Sequence, residues 1–311
     1  MATKRILLIA NPAAGRRRGE QLLTKARAQL ETLGQAVTAA LTESPGHATR
    51  LAKANAPDFE TIAALGGDGT VNEVADGLMA VEPSERPALA VLPAGTGNDV
   101  AQTFSLAKFE TAINAVTSGG SRSLDVVRVQ LVRDGETVTR HALLFVAAGF
   151  AAEVIRKTGP RVKRLFGRRF SYSVGLFRAL AGFRAPEFSV RWDGGGQSSQ
   201  MFQVCAGNTE FAAGGVMRIS PGAQPDDGLL NISLVGALGR LQIVRRFPNI
   251  LSGRYVEDER VLIRTLECHI GRLSFAFLVI VHLRAFLGLF YAWVSALPRG
   301  AYVRVPVALT L

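Results

Sequence analysis

The sequence predicts an α/β chain: an N-terminal doubly wound α/β domain over residues 1–120, then a mainly antiparallel, β-rich domain over residues 121–311, with a return of the last strands to the first domain left open. Three observations predict this. Up to about residue 120, short strand-like apolar runs, the first of them continuous over residues 4–10, alternate with stretches of helical periodicity, the pattern of parallel strands joined by helices. Three of those runs end in small or glycine-rich residues, which suits the carboxyl edge of such a sheet, where ligands bind. Beyond Ser121 the helical period gives way to short, turn-bounded strands.

Residues 4–10 read as the first strand, stopped by Asn11-Pro12-Ala13-Ala14-Gly15. From Gly19 to Leu33, Leu22, Leu23, Ala26 and Leu30 recur at helical spacing, and Gly34 ends the run. Residues 35–41 are the second strand, and Ser44-Pro45-Gly46 opens a helix that reaches Asn55. Thr61 to Leu65 is the third strand. The helix after it ends near Met79, and Ala88 to Leu92 is the fourth strand. In the second domain, Ser123 to Val132 and Val138 to Ala148 are strands joined at Asp134-Gly135, a hairpin signal. Glu187 to Trp192, Met201 to Gly207 and Leu229 to Val235 follow, with Trp192-Asp193-Gly194-Gly195-Gly196 as a hairpin tip.

The loop after the third strand, Gly66-Gly67-Asp68-Gly69-Thr70-Val71-Asn72, carries the most chemistry. Its glycines are expected to take backbone angles closed to other residues and to let a ligand approach the main chain. The helix that follows offers free N–H groups and a favourable dipole to an anion. A carboxylate beside a phosphate is repulsive unless a cation intervenes, so Asp68 points to phosphate together with Mg²⁺. The fourth strand runs into Pro93-Ala94-Gly95-Thr96-Gly97-Asn98-Asp99, where Thr96 and Asn98 offer neutral hydrogen bonds and Asp99 is read as a helix cap.

A net charge of +11, from 36 Lys and Arg against 25 Asp and Glu, implies an anionic partner. The aromatic-and-basic signatures of common RNA modules and zinc-finger spacings are missing, so nucleic acid is not the expected partner. Between Arg156 and Arg184 every charged residue is Lys or Arg, interleaved with Leu165, Phe166, Phe170, Tyr172, Phe177 and Phe183. That composition suits peripheral contact with an anionic membrane. Cys205 and Cys268 have no metal spacing and read as buried small apolar residues, as in a reducing compartment. His47, His141, His269 and His282 likewise show no ligand spacing. The apolar run after Arg5 is too short for a signal peptide, and a cytoplasmic protein is expected.

Taken together, Asn11 to Gly15, Gly66 to Glu73, Pro93 to Asp99 and Pro225-Asp226-Asp227-Gly228-Leu229-Leu230 resemble the diacylglycerol kinase catalytic-domain family, which includes bacterial soluble lipid kinases and is related to sphingosine and ceramide kinases. The resemblance spans about residues 4 to 260. The first glycine loop is also similar to that of NAD kinases. The family implies an ATP- and Mg²⁺-dependent transfer to a lipid hydroxyl, diacylglycerol giving phosphatidic acid, at the inner face of the membrane. It implies ATP binding by Asn11, Pro12, Gly15, Thr42, Gly66, Gly67, Asp68, Gly69, Thr70, Asn72, Thr96 and Asn98. Asp68, Asp125 and Asp226 would form an acid, water and Mg²⁺ network, and Asp227 with the main-chain oxygens of Gln224 and Leu229 a structural Mg²⁺ site. A homodimer is compatible with these features.

One departure stands out. The family places an Asp-Gly-Glu turn near its C-terminus, its glutamate acting as general base, whereas no acid follows Glu267 here. Tyr291-Ala292-Trp293-Val294-Ser295 lies where that turn is expected, and none of its side chains is a carboxylate. Leu273 to Leu297 is almost wholly apolar, broken by His282 and Arg284, and three readings stay open: closing strands of the second domain, a membrane-associated helix, or a locally altered reading frame. A nucleotide-binding protein without turnover and an NAD kinase-like activity are the rival functions.

Overall fold

The computed structural model describes residues 3–118, 120–133, 136–157, 175, 178–192, 195–215, 217–252, 254, 261–267, 277–281, 301–305 and 308–310. Four parallel strands, β1 (Arg5–Ala10), β2 (Ala36–Leu41), β3 (Thr61–Gly66) and β4 (Ala88–Pro93), form the first sheet in the order β2-β1-β3-β4. The apolar runs of β1 and β3 have a direct cause. Alternate side chains of β1 and β3 enter different cores: Leu7, Ile9, Ile62 and Ala64 pack on one face, Ile6, Leu8, Ala63 and Leu65 on the other. Helices α3 (His47–Asn55) and α4 (Asp68–Leu78) cover the first face through Ala48, Ala52, Val71 and Val74. The other face is covered by α2 (Gly19–Thr32), through Ala26 and Leu30, and α6 (Phe109–Ser118), through Ile113 and Val116. Two short helices, α1 (Ala14–Arg17) and α5 (Asp99–Thr103), follow the loops after β1 and β4.

Ten described strands form the second sheet. Its path runs β13 (Val261–Glu267), β12 (Leu229–Gly236), β9 (Gly195–Gly207), β8 (Glu187–Trp192), β14 (Phe277–Val281), β15 (Ala301–Val305), β5 (Asp125–Arg133), β16 (Ala308–Thr310), with β6 (Glu136–Ala142) on β5 and β7 (Phe145–Gly149) on β9. The long β9 joins two parts of it. Gly195–Gln200 pairs with β8, and Met201–Gly207 with β12. A small hairpin of β10 (Phe211–Ala212) and β11 (Met217–Arg218) lies off this path.

The structure corrects the single strand expected over Val138 to Ala148. It divides at Leu143 and Leu144, because the Leu143 N–H donates to Asn72 Oδ1 and the Leu144 carbonyl accepts from the Asn208 and Thr209 N–H groups. β6 and β7 therefore leave in different directions to different partners. The tips at 134–135 and 193–194 lie outside the described residues, but β5–β6 and β8–β9 pair antiparallel as expected. Phe277–Val281 pairs with β8 and β15, so this part of the apolar C-terminal stretch is a strand and not a membrane helix. Residues 268–276 and 282–300, with His269, His282, Cys268 and the Tyr291 to Ser295 segment, lie outside the described residues. Among the described residues no helix is long and apolar enough to cross a membrane.

Candidate active site

The three loops that end β1, β3 and β4 are laced together by main-chain hydrogen bonds that continue the sheet past its strands. Asn11 N–H donates to Leu65 O at 3.1 Å, Ala94 N–H to Gly66 O at 2.8 Å, and Gly15 N–H to Ala94 O at 2.7 Å. Thr42 joins them from the end of β2, its N–H donating to Ala10 O at 2.9 Å. Asn11 accepts the Ala13 N–H on its side-chain oxygen, and its amide reaches Thr70 Oγ1 at 3.5 Å. Pro12 sits between them, half-buried. The fold thus places the three loops read from the sequence on one edge of the sheet, with Thr42 beside them.

The glycines serve this edge differently from expectation. None of Gly66, Gly67 and Gly69 has a left-handed φ. At Gly66 and Gly67 the need is space: a Cβ on Gly66 would overlap the Thr70 side chain, a Cβ on Gly67 would lie 3.1 Å from the Gly95 Cα, and a Cβ on Gly95 would overlap Gly67 while standing 2.7 Å from Asn98 Oδ1. The loops after β3 and β4 thus touch backbone to backbone. Gly19, which sequence treats only as a helix start, is held the same way against Asn11 and Pro12.

Asp68 and Asp99 both approach Gly97, whose added Cβ would be 3.2 Å from an oxygen of each. Asp68 Oδ1 accepts the Val100 N–H at 3.0 Å, so it is Asp68, the first residue of α4, that serves the start of α5. Burial raises its pKa, partly offset by main-chain N–H groups at Val100, Asp68 itself, Asp99 and Asn98. Asp99 does not cap its helix, contrary to the sequence reading. Asn98 is the N-cap residue, in left-handed conformation, and Asp99 Oδ1 instead accepts the N–H groups of Gly214 and Gly215 at 2.7 and 3.0 Å. Those residues follow Ala213 in a run of three left-handed φ angles, which turns successive N–H groups toward one carboxylate. The Asp99 pKa is raised by burial first and then by the Asp68 charge.

Two expected ligand residues prove to be occupied by protein. The Asn98 amide closes its own loop, accepting from Gly95 N–H at 2.7 Å and donating to Gly95 O at 3.2 Å. The Asn72 amide ties α4 to the β6–β7 junction, donating to His141 O at 2.8 Å and accepting from Leu143 N–H at 3.1 Å. Asp76, one turn on, accepts both the His141 N–H and its Nδ1 at 3.0 and 2.8 Å. Thr96 is exposed at the rim of the third loop, as is Gly69 at the rim of the second.

A second group of acids gathers where β5 begins. Asp125 is buried, with Oδ2 accepting the Gly228 N–H at 2.6 Å, and its N–H donates to Pro225 O at 2.7 Å. Asp226 pairs with Arg122, whose guanidinium lies over the Phe104 ring. Asp227 accepts the Leu229 N–H at 2.9 Å within its own turn, next to exposed Gln224. The Asp125 pKa is raised by burial, and the charges of Asp227 and Asp226 add to it against the Gly228 hydrogen bond. This crowding of carboxylates is the donor chemistry that a hard divalent cation takes. The described residues contain no cluster of three or more His, Cys, Asp or Glu arranged around one point as metal ligands.

Asn208, which sequence reading passed over, is fully buried and donates from Nδ2 to both Asp125 O and Leu143 O, at 2.7 and 3.0 Å. It is expected that Asn208→Ala destabilises the chain by about 2–4 kcal/mol in denaturant unfolding, because two buried carbonyls lose a donor at once. Cys205 is buried as expected, and burial pushes its thiol pKa up to about 12.

Residues 5–129 match the diacylglycerol kinase catalytic domain family, and residues 144–271 match the family described as YegS C-terminal NAD kinase beta sandwich-like domain. The chain is 26% identical over 264 residues to a diacylglycerol kinase of Bacillus subtilis (strain 168), covering 83% of this chain and 82% of that one. It is 29% identical over 234 residues to a diacylglycerol kinase of Staphylococcus aureus (strain MRSA252), covering 75% and 70%. A crystal structure titled as a diacylglycerol kinase from Bacillus anthracis str. Sterne superposes with a TM-score of 0.70 at 22% identity, over 99% of this chain and 96% of that chain.

Proposed function

We propose that this chain, whose residues 5–129 match the diacylglycerol kinase catalytic domain family, transfers the γ-phosphate of ATP to a lipid hydroxyl, diacylglycerol giving phosphatidic acid. The observation that carries the reading is the glycine seam, where Gly67 and Gly95 meet and Asp68 and Asp99 stand beside it. Phosphoryl transfer needs positioning and charge neutralisation more than covalent chemistry. Main-chain N–H groups at the start of α4 would face the phosphates, with Asn11, Thr70 and Thr96 as neutral donors. Asn98 and Asn72 would act by holding the loops in place. Bound Mg²⁺ would supply the positive charge that lets phosphate and carboxylate share the site. Asp227, with the carbonyl oxygens of Gln224 and Leu229, would hold the structural ion, and Asp68, Asp125 and Asp226 would link it to the phosphates.

We divide the chain at about residue 120 into an ATP domain and a lipid domain, working in the cytoplasm against the inner membrane face through Arg156 to Arg184. Transfer of radioactive phosphate from ATP into diacylglycerol micelles tests the reading. Labelled phosphatidic acid is expected, while label that enters NAD alone would overturn the lipid acceptor. Mg²⁺-dependent ATP binding with no labelled lipid would favour the rival of a nucleotide-binding protein without turnover, which the acid-free sequence after Glu267 supports.

The Mg²⁺ assignment makes a separate prediction. A carboxyl whose folded pKa is raised above 3.8 binds its proton more tightly in the folded chain, so its ionisation lowers stability as pH rises through that range. Without Mg²⁺ at pH 7, Asp125→Asn is therefore expected to melt above the wild type, with the difference vanishing as the pH approaches 3.8. Mg²⁺ should raise the wild-type melting point and leave Asp227→Asn unmoved. Equal responses of both chains to Mg²⁺ would remove Asp227 from the site.

A further inference from the structure

The two most exposed large apolar side chains among the described residues are Leu241, at 79%, and Val244, at 59%. They lie three positions apart on the helix Arg240–Ser252, and exposed Arg245, four positions after Leu241, flanks Leu241 on its other side. The opposite face of that helix is anchored, for Ile243 is 2% exposed in a cluster with Phe150, Ala179 and Phe202. Leu180 and Phe183 pack on the same cluster, and Arg178 and Arg184 beside them are exposed. The helix Arg240–Ser252 therefore lies next to the C-terminal end of the cationic stretch Arg156 to Arg184. No acid occurs in either segment.

We propose that the helix Arg240–Ser252 is a lipid-docking element, its stripe of Leu241, Val244 and Arg245 seating in the interface of an anionic bilayer. Isolated apolar side chains on a surface need no explanation, but two on one helical stripe, flanked by cations and opposed by an anchored face, form an amphipathic element of the interfacial kind. Charge complementarity selects the occupant. Exposed cations on both neighbouring elements favour anionic headgroups over a second copy of a chain that itself carries +11. Position supports the same choice, since the helix packs beside β11, and the β10–β11 hairpin carries the Gly214–Gly215 turn that Asp99 grips. Docking here brings the bilayer to the element that borders the Asp68 site. The inference rests on the lipid-acceptor reading.

Co-sedimentation of the full chain with vesicles of phosphatidylcholine and phosphatidylglycerol, beside vesicles of phosphatidylcholine alone, tests it. The double variant Leu241→Ser/Val244→Ser is expected to bind the anionic vesicles about 10- to 100-fold more weakly, while its ATP binding and melting temperature match the wild type. Arg245→Glu should weaken binding to the anionic vesicles and leave neutral vesicles unaffected. Wild-type binding by the double variant, or no vesicle binding by the wild type, overturns the proposal. So does a wild-type dimer that the double variant dissolves while vesicle binding stays unchanged. Failure of the kinase reading looks different: the wild type would bind vesicles through these residues and phosphorylate no lipid.

Discussion

Asp68→Asn is expected to lower phosphate transfer by about 10³-fold or more and to leave the fold intact. The carboxylate oxygen that accepts the Val100 N–H has an amide oxygen as its replacement, so α5 keeps its partner. The substitution also removes a charge that burial disfavours, since the Asp68 pKa lies above the ordinary value of 3.8. Its ionisation costs stability at neutral pH, and the variant should melt at or slightly above the wild type there. Asp68→Ala should be equally inactive but lose the acceptor as well, at a cost of about 1 kcal/mol, the usual value of an N-terminal cap. Steady-state transfer and thermal melts on the three chains separate these effects. Turnover retained in Asp68→Asn would place the metal-linked acid elsewhere.

Gly95→Ala should have the second large effect, on binding and stability together. The added methyl would overlap the Gly67 Cα and approach Asn98 Oδ1 at 2.7 Å. Neither neighbour is a flexible side-chain end, because Gly67 is backbone at the start of α4 and Asn98 is pinned by its two hydrogen bonds to Gly95. The loops after β3 and β4 must part, costing about 1–3 kcal/mol as overpacking does. ATP affinity should fall at least about tenfold, since a shift of the loops misplaces every main-chain donor at once. Gly34→Ala is the contrasting glycine substitution, for an added Cβ there meets nothing within 4 Å and only the left-handed φ of +79° opposes it. It should cost stability without changing ATP affinity.

The first domain was legible because its signals are local. The central strands β1 and β3 are apolar runs, since both faces are covered, and each of three strands ends in a recognisable loop. The second domain was less legible. The break at Leu143 and Leu144 has no sequence mark, because it is made by Asn72 and Asn208 from far along the chain. Asp99 was misread for a related reason. An acid at a helix start has a strong local preference for capping, and a longer-range claim from the Gly214–Gly215 turn overrides it. The Gly214-Gly215 pair was the available signal, since adjacent glycines mark a turn that can present its N–H groups to a carboxylate. Gly67 was read for both backbone freedom and close approach; its φ is not left-handed, and the close approach is to Gly95 of the next loop.

The central claim is that phosphates sit on the Gly67–Gly95 seam, and calorimetric titration of ATP with Mg²⁺ into the wild type and Gly95→Ala tests it most directly. The account predicts one Mg²⁺-dependent site in the wild type and at least about tenfold weaker binding in the variant. Equal affinity in the two chains, or a wild type that takes up no ATP, would contradict it.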